Sequence, residues 1–146
     1  MQPTISIVTT PIPVNVQRAT PTLQIDSPPA TFVCGSPTTF TADLAFPPTL
    51  GLINRNVSLM LPPTIGQLVN PATTLLAQGT LALSTVAAGR ATASLSATLP
   101  KNTSSVLLSF AGDTLLNGVN SAPVPIHVQP LPVIVQLTAT PQGGGV

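Results

Sequence analysis

The chain has 146 residues, of which 43% are hydrophobic, 3% aromatic and 5% charged, and its formal net charge is +1. That length suits one domain with a real core and is short for two. Arg18, Arg55, Arg90 and Lys101 against Asp26, Asp43 and Asp113 form neither a basic stripe nor an acidic face, so nucleic acid and anionic membrane are not expected partners, and Pro, Thr, Ser and Asn interrupt every apolar run before it is long enough to span a bilayer as a helix.

The 18 prolines and 10 glycines are scattered through short apolar runs. An interior proline costs a helix about 3 kcal/mol, so long helices are excluded and an all-β chain is expected. With no Trp and no Tyr, the core has to come from Leu, Val, Ile, Ala and Thr with a few Phe.

In chain order, Ile5-Ser-Ile-Val and Ile12-Pro-Val-Asn-Val-Gln alternate like strands, and Pro11 and Pro13 at alternate positions confine that segment to a sheet edge. A strand is predicted over Thr22–Ser27, ended by Pro28-Pro29. After Phe32-Val-Cys-Gly, a second runs over Thr38–Phe46 to Pro47-Pro48, and a third over Asn56–Leu61 to Pro62-Pro63. Thr64–Asn70 reads as an irregular loop. Leu75–Leu83 and Arg90–Leu99 read as a hairpin-like pair, and Leu99-Pro-Lys-Asn turns into the next strand. Val106–Phe110 and Val124–Val128 then flank a polar loop carrying Gly112, Asp113, Asn117 and Gly118. Taking one face of each strand as buried between two sheets, the expected core is Phe40, Leu44, Val57, Leu59, Leu81, Leu83, Leu95, Val106, Leu108, Phe110, Ile126 and Val128.

The two ends of the chain repeat each other. Pro11-Ile-Pro-Val-Asn-Val-Gln matches Pro123-Val-Pro-Ile-His-Val-Gln, and Leu23-Gln-Ile matches Val135-Gln-Leu. Pro11 and Pro123, like Pro29 and Pro141, are 112 residues apart. A period of this size fits one sandwich domain of roughly 100 residues plus a linker. Residues 1–19 therefore read as carrying the last strand of a preceding repeat, 20–130 as one whole repeat, and 131–146 as the first strand of a following repeat with a Gly-rich tail.

The run Phe110-Ala-Gly-Asp, followed by Asn117-Gly118, Ser121-Ala-Pro and a closing alternating strand, resembles the end of the bacterial Ig-like repeat domains found in tandem on large surface and secreted proteins. Gly35 before Thr39-Phe-Thr-Ala, Gln78-Gly-Thr-Leu-Ala-Leu and Gly89-Arg-Ala-Thr are similar to that family's inner strands. The chain departs from the pattern in having Phe110 where Tyr is usual, Leu115 or Leu116 in place of a loop aromatic, and no Gly leading the third strand. The resemblance implies an immunoglobulin-like antiparallel sandwich of about seven strands with extra strands at both termini, on an extracellular or cell-surface bacterial protein. The Thr-rich, nearly uncharged composition agrees with export, although Met1-Gln-Pro-Thr lacks the charged and apolar regions of a signal peptide; a removed signal or a piece of a longer chain is the expectation.

Candidate chemistry is sparse. His127 is the one His, and its repeat counterpart is Asn15, so it reads as a solvated strand residue and catalysis is not expected. Three scattered Asp residues do not suggest a metal centre, and no cofactor is expected. Asp113 reads as a turn residue accepting backbone amides, with calcium binding as the alternative. Cys34 has no partner for an internal disulfide and reads as a part-buried apolar residue. Lys-Asn cross-links known in surface Ig-like domains would need a buried Lys, and Lys101 sits in a turn. Asn56-Val-Ser and Asn102-Thr-Ser fit the glycosylation pattern but read as polar surface.

The expected function is that of a non-catalytic structural module of a repeat protein or fibre. Its expected partners are adjacent Ig-like repeats or copies of itself, engaged head to tail through the terminal strands at Ile5, Ile7, Ile12, Val14, Val16, Val133, Val135 and Leu137. A surface glycan or a protein ligand, bound as in an adhesin, and decoration of a phage surface are the alternatives. The lack of Trp and Tyr counts against glycan stacking.

Overall fold

Alternation is cleanest in Arg90–Thr98, where Ala91, Ala93, Leu95 and Ala97 are buried and the residues between them exposed. A strand with one dry and one wet face needs an apolar layer opposite, and the chain supplies it as a second sheet. In the computed structural model, which describes residues 1–15, 17–26, 28, 31–63, 73–131, 133–138 and 143–144, no helix is found among those residues. The strands are β1 (Thr22–Asp26), β2 (Thr31–Val33), β3 (Pro37–Ala45), β4 (Asn56–Leu61), β5 (Thr74–Thr80), β6 (Ala82–Leu83), β7 (Arg90–Thr98), β8 (Ser105–Phe110), β9 (Val119–Asn120), β10 (Val124–Pro125) and β11 (His127–Gln129).

They form an all-β sandwich. One sheet has the order β1-β3-β7-β6 and the other β10-β8-β4-β5, with β9 also on β8; both are antiparallel. A short parallel pair, β2 with β11, runs beside them. Phe40, Leu44 and Leu95 from the first sheet meet Val57, Leu59, Val106, Leu108 and Phe110 from the second, all essentially without solvent contact. Phe32 of β2 stacks on Phe40 with ring centroids 5.4 Å apart.

The expected core is found with two exceptions. Val128 is half-buried at its margin. Leu83 is 45% exposed, because it lies on a two-residue edge strand at the rim, opposite Ala91. The expected hairpin between residues 75–83 and 90–99 is also corrected. β5 pairs with β4, and strand pairing with β7 is confined to Ala82 and Leu83. The run changes sheets at the fully buried Leu81, whose N–H donates to Arg55 O at 2.6 Å. Gly79 allows the crossing: a β-carbon there would lie 3.0 Å from Leu95 Cγ and 3.1 Å from the Ser94 carbonyl. The predicted strand Val124–Val128 breaks at the buried Ile126, so that β10 pairs with β8 and β11 with β2. The loop expected at 64–70 lies outside the described residues.

The register sets the polarity of the module. Thr22 pairs with Ala45 at one end of β3, whereas Cys34 N–H donates to Gln129 O near the other end, beside Pro37. The chain therefore comes in at one pole and leaves at the opposite one, separated by the length of the nine-residue β3, about 27 Å.

Candidate functional site

The N-terminal pole is organised by one carboxylate. Asp113 follows Gly112, whose φ of 81° is the left-handed conformation that suits glycine. A β-carbon at Gly112 would sit 2.5 Å from Gly118 N, so the two ends of the loop touch backbone to backbone. Asp113 Oδ1 accepts the N–H groups of Leu115 and Leu116, both at 2.8 Å, and Asp113 N–H donates to Leu116 O at 2.9 Å. Oδ2 accepts the N–H groups of Ile53 at 3.0 Å and Asn54 at 3.1 Å. Asn54 Nδ2 returns a bond to Gly112 O at 2.9 Å. Desolvation raises the Asp113 pKa, but the four backbone donors outweigh it, and the carboxyl is held below its ordinary value. The expected turn-fixing role is found, and it extends to the loop between β3 and β4.

The same loop grips the incoming chain. Ala19 N–H donates to Leu115 O at 3.0 Å and Asn117 N–H to Ala19 O at 2.8 Å, a single parallel bridge. Asn117 Nδ2 adds bonds to Thr20 Oγ1 at 3.0 Å and Arg18 O at 3.3 Å. Sequence reading placed Asn117 in the loop but missed this clamp. Nothing in the sequence marks it, because most of its bonds use backbone groups that every residue but proline carries.

Concavities open on the surface between described residues. One, of about 430 Å³, lies in the seam between β1 and β9–β10, lined by Pro21–Ile25 and Val119, Asn120, Ser121, Ala122 and Val124. Another, of about 420 Å³, lies at the C-terminal pole between Leu61–Pro63, Asn102–Ser105 and Pro123. The groups presented in both are aliphatic side chains, proline rings, hydroxyls and amides, suited to backbone and van der Waals contact.

Among the described residues no three of His, Cys, Asp and Glu stand together as a metal centre. His127 is exposed on β11, and Cys34 is a half-buried free thiol in the turn after β2. Asp43, buried on the outer side of β3, accepts bonds from Arg90 Nη2 and from Gln24 Nε2 at 3.3 Å, while its Oδ1 has no partner among the described residues.

The terminal contact residues are not brought together with the sandwich. Ile5, Ile7, Ile12 and Val14 lie in a segment without strand structure and are 79–83% exposed, and Val133, Val135 and Leu137 are as open at the other end. Val16 lies outside the described residues. The strands expected there do not form among the described residues: alternation marks a competent face, but a strand also needs a neighbour to pair with. No helix among the described residues is long and apolar enough to cross a membrane. No family model matches the chain, and no curated protein does.

Proposed function

We propose that this chain is a non-catalytic structural module, Ig-like in kind, that is strung head to tail with like modules in a surface or exported repeat protein or fibre. The observation that carries the reading is the pairing of opposite poles with the 112-residue repeat. Ile7–Gln17 is the sequence counterpart of Val119–Gln129, which forms β9–β11, and Ile134–Thr138 that of Thr22–Asp26, which forms β1. The N-terminal tail thus has the pattern of closing strands and the C-terminal tail that of an opening strand, and each leaves the sandwich at its own pole with its described residues exposed. The strand order β1-β3-β7-β6 against β10-β8-β4-β5, with β2 parallel to β11, supports the Ig-like assignment. The low charge and Thr-rich surface support an extracellular setting.

In this reading the partner of each tail is a neighbouring module, in the same chain or in a second copy. Light scattering on the full chain and on one beginning at Arg18 tests the self-assembling form. Polymers in the full chain that disappear on removal of residues 1–17 support strand exchange between separate copies. Monomers in both at high concentration overturn it and leave the tandem spacer.

A further inference from the structure

We propose that Arg18–Thr20, seated on Leu115–Asn117, is a stiff joint between modules, and that Pro130-Leu131-Pro132 is built to seat in the same way on the corresponding loop of a following module. The proposal rests on the tandem reading and adds what that reading leaves open: whether successive modules swing freely or are held at a set angle. A short unstructured linker would let them swing, and a linker bonded into the domain would not.

The 112-residue offset aligns Gln17 with Gln129, the last residue of β11, and Thr22, the first of β1, with Ile134. Between the closing strand of one repeat and the opening strand of the next lie four residues, Arg18–Pro21 here and Pro130–Val133 at the far end. In this chain the first three are bonded through both backbone groups of Ala19, the Arg18 carbonyl and the Thr20 hydroxyl. Ala19 is half-buried against the core margin, and Pro21 is buried. From the first bonded residue onward, the incoming chain is part of the sandwich.

The far linker keeps the backbone groups this socket uses and loses the one side-chain group, the Thr20 hydroxyl. The parallel bridge takes the N–H and C=O of the middle residue, which Leu131 retains. In extended chain the N–H groups of the flanking residues point to the opposite side, so proline on either side loses nothing the bridge needs. Proline also favours extended backbone at the residue before it. Pro132 therefore biases Leu131 to the conformation that Ala19 adopts in its bridge, and Pro130 does the same for Gln129, which is a β11 residue. The hydroxyl bond of Thr20 is the one contact the prolines give up.

The test uses the full chain and amide hydrogen exchange. The Ala19 and Asn117 amides should exchange at least about tenfold more slowly than those of Ile5 and Ile7. Asn117→Ala should remove most of the protection at Ala19 while the Leu44 and Leu95 amides keep theirs. If that variant loses core protection as well, the backbone order of Ala19 relative to Leu44 in the unaltered chain decides the matter. Exchange at Ala19 as fast as in the tail overturns the joint, whether or not modules follow one another. A chain carrying Arg18→Pro, Ala19→Leu and Thr20→Pro should retain protection at residues 19 and 117. Loss of protection there, with the core intact, overturns the seating of Pro130–Pro132 and leaves the structural reading of the module standing.

Discussion

Asn54 and Asp113 hold each other across 59 residues of chain: the Asn54 N–H donates to Asp113 Oδ2 at 3.1 Å, and Asn54 Nδ2 donates to the carbonyl of Gly112, the residue before Asp113. Two loops at one pole are thereby fixed to each other through a single carboxylate. Asp113→Ala leaves four backbone donors to water, and because the site is only part-buried the expected loss is about 2 kcal/mol. Asp113→Asn, which keeps one acceptor oxygen, should lose less. Urea unfolding of the three proteins measures the order.

The same carboxylate sets an acid dependence. Its folded pKa is depressed, so its contribution to stability is fully present above the unfolded Asp value near about 4 and is lost as pH falls through the folded value. Thermal melts at neutral pH and around pH 3 should show the native chain losing more stability than Asp113→Asn. Equal losses would show that this carboxylate does not drive the acid response.

How far the sequence carried the fold depends on the residue. Phe40, Leu95 and Phe110 were legible because strict alternation puts them on the face that must be buried, and the structure buries all three. The sheet change at Leu81 was not, because alternation runs through it unbroken and nothing local distinguishes a strand that continues from one that crosses to the other sheet. The Asp113 loop was legible as a turn. Its hold on Ile53 and Asn54 was not, because the partners are backbone N–H groups, which every residue but proline carries. The tails read as strands and form none among their described residues, because local pattern says nothing about whether a pairing edge is at hand.

Phe110 closes β8 and is 1% exposed between the sheets, as is Phe40 in β3. The core is mostly aliphatic, with Phe32 and Phe46 its other buried rings, so a phenyl-sized hole has little to refill it. Phe40→Ala and Phe110→Ala should each cost about 3–5 kcal/mol, read from denaturant midpoints. Phe40→Ala also removes the stacking partner of Phe32 and should loosen β2 as seen by amide exchange.

Asp43 and Arg90 form an unequal ion pair: the Asp43 side chain is 11% exposed and that of Arg90 48%. Removing the arginine leaves a nearly buried carboxylate with only Gln24 to satisfy it. Arg90→Ala should therefore destabilise by about 1–2 kcal/mol, less than for a fully buried pair. Adding Asp43→Thr should recover most of the loss, because the charge that lacked a partner is then gone. A double-mutant cycle in which the two losses simply add would show that the pair carries no coupling.

Ser121 repairs the sheet where the last strand breaks between β9 and β10. Its N–H donates to Leu108 O at 2.9 Å, while its Oγ accepts the Leu108 N–H at 2.9 Å and donates to Ala122 O at 3.0 Å. A side-chain oxygen thus stands in for a backbone acceptor on a residue that is itself fully buried. Ser121→Ala strands the Leu108 amide in the core, where water cannot replace the lost acceptor, and should cost about 1–3 kcal/mol. For a domain of this size that is a fall in melting temperature of several degrees, on the order of 3–4 °C per kcal/mol. Ser121→Thr keeps the hydroxyl and should melt close to the native chain, and the counterpart of Ser121 in the N-terminal segment is Thr9. Equal losses for the two variants would mean that the space around Ser121, and not its hydroxyl, is what the site requires.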